Sequence, residues 1–388
     1  MDEPKPASVI ASATAEPPPE PLPPPETQPG DIARERPPAR ALQWRSKVEA
    51  LVIPCGAIAV ALVLFGIFVW TQGANPFAVF ASIYKAAFAS TRSFENTLVR
   101  AAPIMLCALG TAIPLRLGMV VIGNEGALVM GGLMATAAGL LVVEAPALVV
   151  QLTMAGAGMV AGGTWLLIVG ALKHYRGVNE TISSLLMNFI GIALLNQAVN
   201  SWMKDPSSLN KPSSFPIPEE KMLTPLGTTD VHWGIVFGVV FCIVAYILIH
   251  KTTFGFQIRT IGANIRAAQL AGLAVGKVTL VTCFIAGAAP GLAGMVEVAA
   301  VHGVANESLN VWYGNAGILV AFLARQNALA CIVVSVMLGG LLASGGILQR
   351  SHQLPDATIL VFQGIVFLCI LYSESLYGKF SIFQEKKS

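Results

Sequence analysis

From about residue 50 onward the chain alternates long apolar runs with short polar interruptions. A run such as "VVIGNEGALVMGGLMATAAGLLVV" lacks the two-residue alternation of a barrel strand with a polar lumen. Apolar runs of roughly 18 residues or more have the length of a membrane-crossing helix. Runs near 50–70, 97–115, 119–142, 146–171, 179–200, 233–250, 277–297, 312–324, 327–345 and 357–373 predict about ten spans. The run at 312–324 is short for a full crossing and is expected to be tilted, broken or re-entrant. Between the first two spans, "NPFAVFASIYKAAFAS" opens on Asn75-Pro76, a helix start, and reads as an interfacial helix on the outer side. The expected fold is an all-α polytopic membrane protein, with the transmembrane domain at 48–378.

The polar interruptions predict orientation. Basic residues near span ends mark the cytoplasmic side. Arg34, Arg36, Arg40, Arg45 and Lys47 precede the first span. With that end inside, Lys173 to Arg176, the 251–277 loop, Arg325 and the 379–388 tail also fall inside. The 251–277 loop carries Lys251, Arg259, Arg266 and Lys277 and no acidic residue, whereas the 201–232 loop mixes both signs. Both termini are therefore expected in the cytoplasm. Residues 1–47 hold 12 of the 24 prolines, between Pro4 and Pro38. That composition predicts a disordered or polyproline-like cytoplasmic segment, not a signal peptide.

Charged residues make up 12% of the chain against about 25% in ordinary soluble domains, which agrees with a bilayer-embedded body. The net charge of +3 needs no nucleic-acid partner. All six cysteines lie in apolar runs and read as small buried hydrophobes, and no metal motif occurs among the five histidines. Gly158/Gly162, Gly234/Gly238 and Gly287/Gly291 are small-xxx-small pairs that let helices approach closely. Trp202, Trp233 and Trp312 read as interfacial anchors. Arg116 and Arg325 read as snorkelling residues at the inner rim.

Ionisable groups inside a span usually face the bundle interior. Glu125, flanked by glycines, reads either as a path-lining group or as one member of a structural pair. Glu180, following Asn179, reads as a helix N-terminal carboxylate. Asn188 and Asn196, eight residues apart, lie about two turns apart on one helix and read as path amides or as interhelical glue.

The stretch "GANIRAAQLAGLAVG" sits between two of the most apolar runs. Asn264 is a candidate N-cap and Gly272 a stop signal, so a two-turn helix is expected at the inner face. "GLAVGKV" is not a phosphate loop: its glycines are too close and no Ser or Thr follows Lys277. If ATP drives this protein, it acts from another polypeptide.

"TTFGFQIRTIGANIRAAQLAGLAVGKV" resembles the coupling segment of binding-protein-dependent ABC importer permeases, in the nucleoside and simple-sugar branch. "IPLRLGMVVIGNEGALVMGG", "GVNETISSLLMNFIGIALLNQAV", "FIAGAAPGLAGMVEVAAVHGV" and "GILVAFLARQNALACIVVSVMLGGLLASGG" are similar to further blocks of that family, in order, over roughly 50–375. Two features depart from the family: Asn124 and Ala127 where Gly-Ala-Glu-Gly-Gln is usual, and the insertion-like "QRSHQLPDAT".

The resemblance implies a non-enzymatic permease in a bacterial plasma (inner) membrane that binds no cofactor. ATP and Mg would be used by a partner ATPase. A second permease subunit, identical or homologous, and a periplasmic or lipid-anchored binding protein would complete the importer. It also implies coupling through Gly262, Ala263, Asn264, Arg266, Ala267, Ala268 and Gly272, and a solute pathway near Asn124, Glu125, Asn188, Asn196 and Glu297. The alternative is an ion-coupled secondary transporter, since glycines around an acidic residue also fit a broken helix.

Overall fold

The computed structural model describes residues 56–208, 211–355 and 357–374. The segment at 1–47, Cys55 and the 379–388 tail lie outside these residues. The described chain is helical, with two isolated β-bridges, Ser213 to Asn306 and Pro225 to His232. The helices are α1 (Gly56–Thr71), α2 (Pro76–Phe88), α3 (Thr91–Leu115), α4 (Asn124–Leu141), α5 (Ala147–Arg176), α6 (Glu180–Asn200) and α7 (Gly234–Lys251). They continue with α8 (Thr253–Ala263), α9 (Ile265–Leu270), α10 (Val275–Val296), α11 (Tyr313–Leu323), α12 (Ala328–Ala343), α13 (Gly345–His352) and α14 (Ala357–Glu374).

Among the described residues, six helical stretches are long and apolar enough to cross a membrane, or seven if α1 and α2, bent by 115°, form one span. α4, α11 and α14, at 18, 11 and 18 residues, are not among them. The protein is an all-α polytopic membrane protein. α5 and α7 bury about a third or less of their apolar windows, while α3 and α10 bury 78% and 72%. Outward apolar faces are what a hydrocarbon solvent permits, because lipid tails match leucine in polarity.

The centre is α3, α4, α5 and α10. There the small-residue pairs meet one another: a Cβ on Gly287 would lie 2.2 Å from the Gly162 carbonyl oxygen, and one on Gly291 2.2 Å from that of Gly158. Only glycine allows α5 and α10 this separation. A smaller core joins α1, α2, α13 and α14, where the rings of Phe65 and Phe362 stack at 4.3 Å. α2 begins as the sequence suggests: Asn75 Oδ1 accepts from the Phe77 amide, and Pro76 occupies the first turn. Among the described cysteines, Cys107, Cys242, Cys283 and Cys331 are buried free thiols and Cys369 is half-buried.

One expectation needs correcting. The run read as a single span over 119–142 is helical only from Asn124; α3 ends in a turn at Gly118 (φ 80°), and residues 119–122 are non-helical. Hydropathy is the same in either conformation, so the apolar pattern does not reveal the break.

Candidate functional site

The non-helical peptide at 119–122 lacks a helix's internal ladder, and unpaired backbone groups in an apolar interior are costly. α3 satisfies part of it, since the Met119 amide donates to the Pro114 carbonyl at 3.1 Å and Thr111 Oγ1 donates to the Val121 carbonyl at 3.2 Å, and α6 supplies further partners. Thr181 Oγ1 donates to the Val120 carbonyl at 2.9 Å, Ser184 Oγ accepts from the Ile122 amide at 3.0 Å, and Asn188 Nδ2 donates to the Ile122 carbonyl at 3.0 Å. Asn188 Oδ1 also accepts from the Gly126 amide at 2.7 Å, in the first turn of α4. Thr181, Ser184 and Asn188 are spaced three and four apart, so one face of α6 runs along the break. α6 is itself capped by Asn179, whose side chain accepts from the amides of Thr181 and Ile182. In its first turn Glu180 pairs with Lys173.

The break sets two polar side chains at the start of α4. Asn124 is fully buried; its Nδ2 donates to the Cys107 carbonyl at 3.1 Å and to Thr111 Oγ1 at 2.6 Å. Its Oδ1 has no hydrogen-bond partner among the described residues. Glu125, 2% exposed, reaches the N-terminus of α11: Oε1 accepts from the Trp312 amide at 2.8 Å and Oε2 from the Gly314 amide at 2.5 Å. Two helix N-termini thus converge on one carboxylate, and both helix dipoles favour its charge. Gly314 is required there, since a Cβ would lie 2.3 Å from the Glu125 nitrogen. Glu297, also 2% exposed, opens a π-helical turn over Glu297–His302 and lies 3.6 Å from His302 Nε2.

Two cavities adjoin the start of α11. One of about 420 Å³ is lined by Ile122, Trp312, Asn315, Ile318, Leu319, Leu360, Gln363, Gly364 and Phe367. The other, of about 210 Å³, is lined by Arg100, Asn310, Val311, Trp312, Tyr313, Leu342, Ile359 and Leu360. Trp312 and Leu360 belong to both. Arg100 and Tyr313 both line the smaller one.

At the far end of α11, Arg116 donates to the Gln326 carbonyl through Nη2 (2.9 Å) and Nε (3.3 Å). The α8–α9 segment seats against the same place. A Cβ on Gly262 would lie 2.2 Å from the Arg116 carbonyl oxygen. Asn264 is extended (φ −159°) and its Oδ1 accepts from the Ala267 amide at 3.0 Å, starting α9; Gly272 (φ 78°) ends that turn. Ala268 is buried, while Gly262, Ala263, Asn264, Arg266, Ala267 and Gly272 are exposed. Ile265 and Leu270 project outward, at 52% and 91% exposed.

Comparison with known proteins places this geometry. A family model described as branched-chain amino acid transport system / permease component matches residues 93–371. The chain belongs to this permease family. It is similar to a glucose ABC transporter permease protein of Haloferax volcanii, 28% identical over 83% of this chain and 87% of that protein. A guanosine ABC transporter permease protein of Bacillus subtilis is 25% identical over 85% of this chain and 95% of its own. A nucleoside ABC transporter permease protein of Lactococcus lactis is 25% identical over 83% and 93%. The protein is thus a permease subunit of an ABC importer, the membrane component of a machine whose ATPase is separate. Membership supports this reading and not the ion-coupled alternative.

Within this permease, the break brings Asn124, Glu125 and Asn188 together, their polar atoms engaged largely by protein groups. Asn196 stands apart, half-buried two turns along α6, its carbonyl accepting from the Asn200 amide. Sequence reasoning passed over Thr181 and Ser184, although "TISSLLMN" shows the polar stripe. It also passed over Arg100, a cation inside a predicted span, and Asn310, Asn315 and Gln363 around the shortest runs.

Proposed function

We propose that this permease carries a nucleoside or a simple sugar-like solute into the cell across a bacterial plasma (inner) membrane. It would work with ABC ATPase subunits, a second permease subunit, identical or homologous, and a periplasmic or lipid-anchored binding protein. In this reading the chain makes ten crossings with both termini cytoplasmic: α1 and the six long stretches, plus α4, α11 and α14. Basic residues support that orientation, because Arg116, Lys173, Arg176, Lys251, Arg259, Arg266 and Arg325 belong to the end that carries α9. α2 would lie along the outer interface, with Phe77 and Tyr84 exposed at 84% and 65%.

The observation that carries the reading is the seating of α9. A short capped helix projects Ile265, Arg266, Ala267 and Leu270 outward, while Gly262 presses on Arg116. The ATPase would grip the projecting face. A push on Gly262 would pass through Arg116 to Gln326 and so to α11, whose other end is held by Glu125. Asn124, Glu125, Asn188 and Glu297 would serve the route as buried supports, with Asn196 facing it. Reconstitution with the ATPase and binding protein tests the proposal. Uptake should require ATP, be blocked by vanadate and survive collapse of ion gradients; uptake that follows an ion gradient without ATP would refute it.

A further inference from the structure

We infer that a cavity between the α1–α2 turn and the α13–α14 turn seats the headgroup of a phospholipid that carries both a phosphate and an ammonium group. The site goes beyond the importer reading and shares no lining residue with the two cavities at α11. One of its walls comes from "QRSHQLPDAT", the stretch in which the chain departs from the family pattern.

The cavity holds about 500 Å³ and is lined by residues 72–75 on one side and 352–355 on the other. Its walls are preformed. Ser82 Oγ and His352 Nε2 hydrogen-bond at 2.9 Å and tie α2 to the end of α13. Leu354 is buried in the smaller core with Phe65, Val79 and Phe362. Gly73 (φ 80°) and Gln353 (φ 54°) turn the chain on either side.

Among the described residues no Asp, Glu, Lys or Arg lines the cavity, so an ion of one sign would lose water there without gaining a counter-charge. The two walls are nevertheless polar, and they differ. Asn75 Oδ1 is spent on the Phe77 amide at 3.0 Å, which leaves its Nδ2 as a donor, and Gln72 adds a second side-chain amide. On the opposite wall, no described backbone amide after α13 donates into its last turn, so carbonyl acceptors remain there beside Gln353. Donors on one wall suit phosphate oxygens, acceptors on the other suit an ammonium, and a headgroup holding both has no net charge.

Aromatic residues set the depth. Trp70 in the last turn of α1 and Phe77 in the first turn of α2 bracket residues 72–75, and both are exposed, Trp70 at 71%. Tyr84, further along α2, is exposed as well. Tryptophan and tyrosine gather at the headgroup level of a bilayer. A water-soluble solute would fill the cavity and leave these rings unused. A lipid uses both, with its headgroup in the cavity and its acyl chains along the rings.

The test uses the purified complex in lipid-free detergent, titrated with phosphatidylethanolamine, phosphatidylglycerol or soluble glycerophosphoethanolamine, and read by native mass spectrometry and Tm. Phosphatidylethanolamine should stay bound at one molecule per chain, about tenfold more tightly than phosphatidylglycerol, the difference that one charge-assisted hydrogen bond makes. It should also raise Tm. The soluble headgroup should bind at least about tenfold more weakly, because it buries no acyl chain. Gln72→Ala with Gln353→Gly strips two amides, and glycine accepts the left-handed turn at 353 without strain. That variant should keep the wild-type Tm without lipid and lose the preference between the two lipids. If its lipid-free Tm falls, Gln353→Gly alone carries the reading and should lose several-fold of the preference. Equal retention of both lipids by the wild type, or an unchanged preference in the variants, would overturn the inference. Equal binding of the soluble headgroup would make this a site for a water-soluble solute and overturn the lipid assignment. Variants that keep the lipid preference but no longer respond to the binding protein would make it a protein-docking surface instead.

Discussion

The carboxylate of Glu125 and the backbone amide of Trp312, 187 residues apart in sequence, meet at 2.8 Å and tie the start of α4 to the start of α11. Hydrogen bonds to an ionised group stabilise by about 1.5–3 kcal/mol each. Glu125→Gln keeps the shape but removes the charge and turns one acceptor into a donor facing an amide. A loss on the order of 2 kcal/mol is expected. Thermal unfolding in detergent would read it as a lower Tm, with uptake reduced as well; an unchanged Tm would mean the clamp is idle.

Asn188 satisfies two backbone groups of the break, the Gly126 amide and the Ile122 carbonyl. Asn188→Leu leaves both buried and unpaired, at about 1–3 kcal/mol apiece. Ser184→Ala frees only the Ile122 amide and should cost less. Urea or heat denaturation should rank the two in that order, and the reverse order would argue against α6 as the partner of the break.

The coupling proposal predicts a separation of activities. Arg266→Glu with Ala267→Asp alters the exposed face of α9 and leaves the buried Ala268 alone. The complex should still assemble and hydrolyse ATP, while uptake per ATP falls steeply. Gly262→Ala should act in the same direction from inside, since its new methyl would strike the Arg116 carbonyl oxygen at 2.2 Å. Wild-type transport by both variants would remove α9 from the mechanism.

His232, in the loop before α7, is buried, and its Nδ1 accepts from the Gly234 amide at 3.1 Å. Burial pushes its pKa down to about 4. A depressed histidine pKa means the fold favours the neutral ring. Its stabilising contribution is therefore present above the unfolded value near 6.5 and is lost as pH falls through 6.5 toward 4. The full effect is on the order of 3 kcal/mol. His232→Asn can keep the short acceptor for residue 234 without titrating there. The variant should show a flatter Tm between pH 7 and pH 4.5; identical slopes would place the acid sensitivity elsewhere.

Residues 1–47 should be dispensable for transport. A chain starting at Leu42 retains Arg45 and Lys47 as topology signals. Normal insertion and uptake are expected, and loss of either in a membrane-fraction assay would contradict the expectation.

The sequence alone determined most of the local structure. Asn75-Pro76 and Asn264 start helices where their side chains meet nearby amides, and Gly272 ends one, because capping is settled within a few residues. The family resemblance was equally legible, carried by blocks spread along the chain. The glycine pairs of α5 and α10 were visible as motifs, but that they pack on each other was not.

Only the tertiary structure decided where the helices break and what the polar residues hold. Residues 119–122 look as apolar as a helix, and they stay non-helical because α6, some 60 residues away, and Thr111 of α3 satisfy their backbone. Glu125 was open to two readings because its partners are main-chain amides, which every residue possesses and no sequence pattern marks. The cavities shared by Trp312 and Leu360 were hidden for the same reason: their walls come from distant segments, and a cavity is a property of how those segments pack.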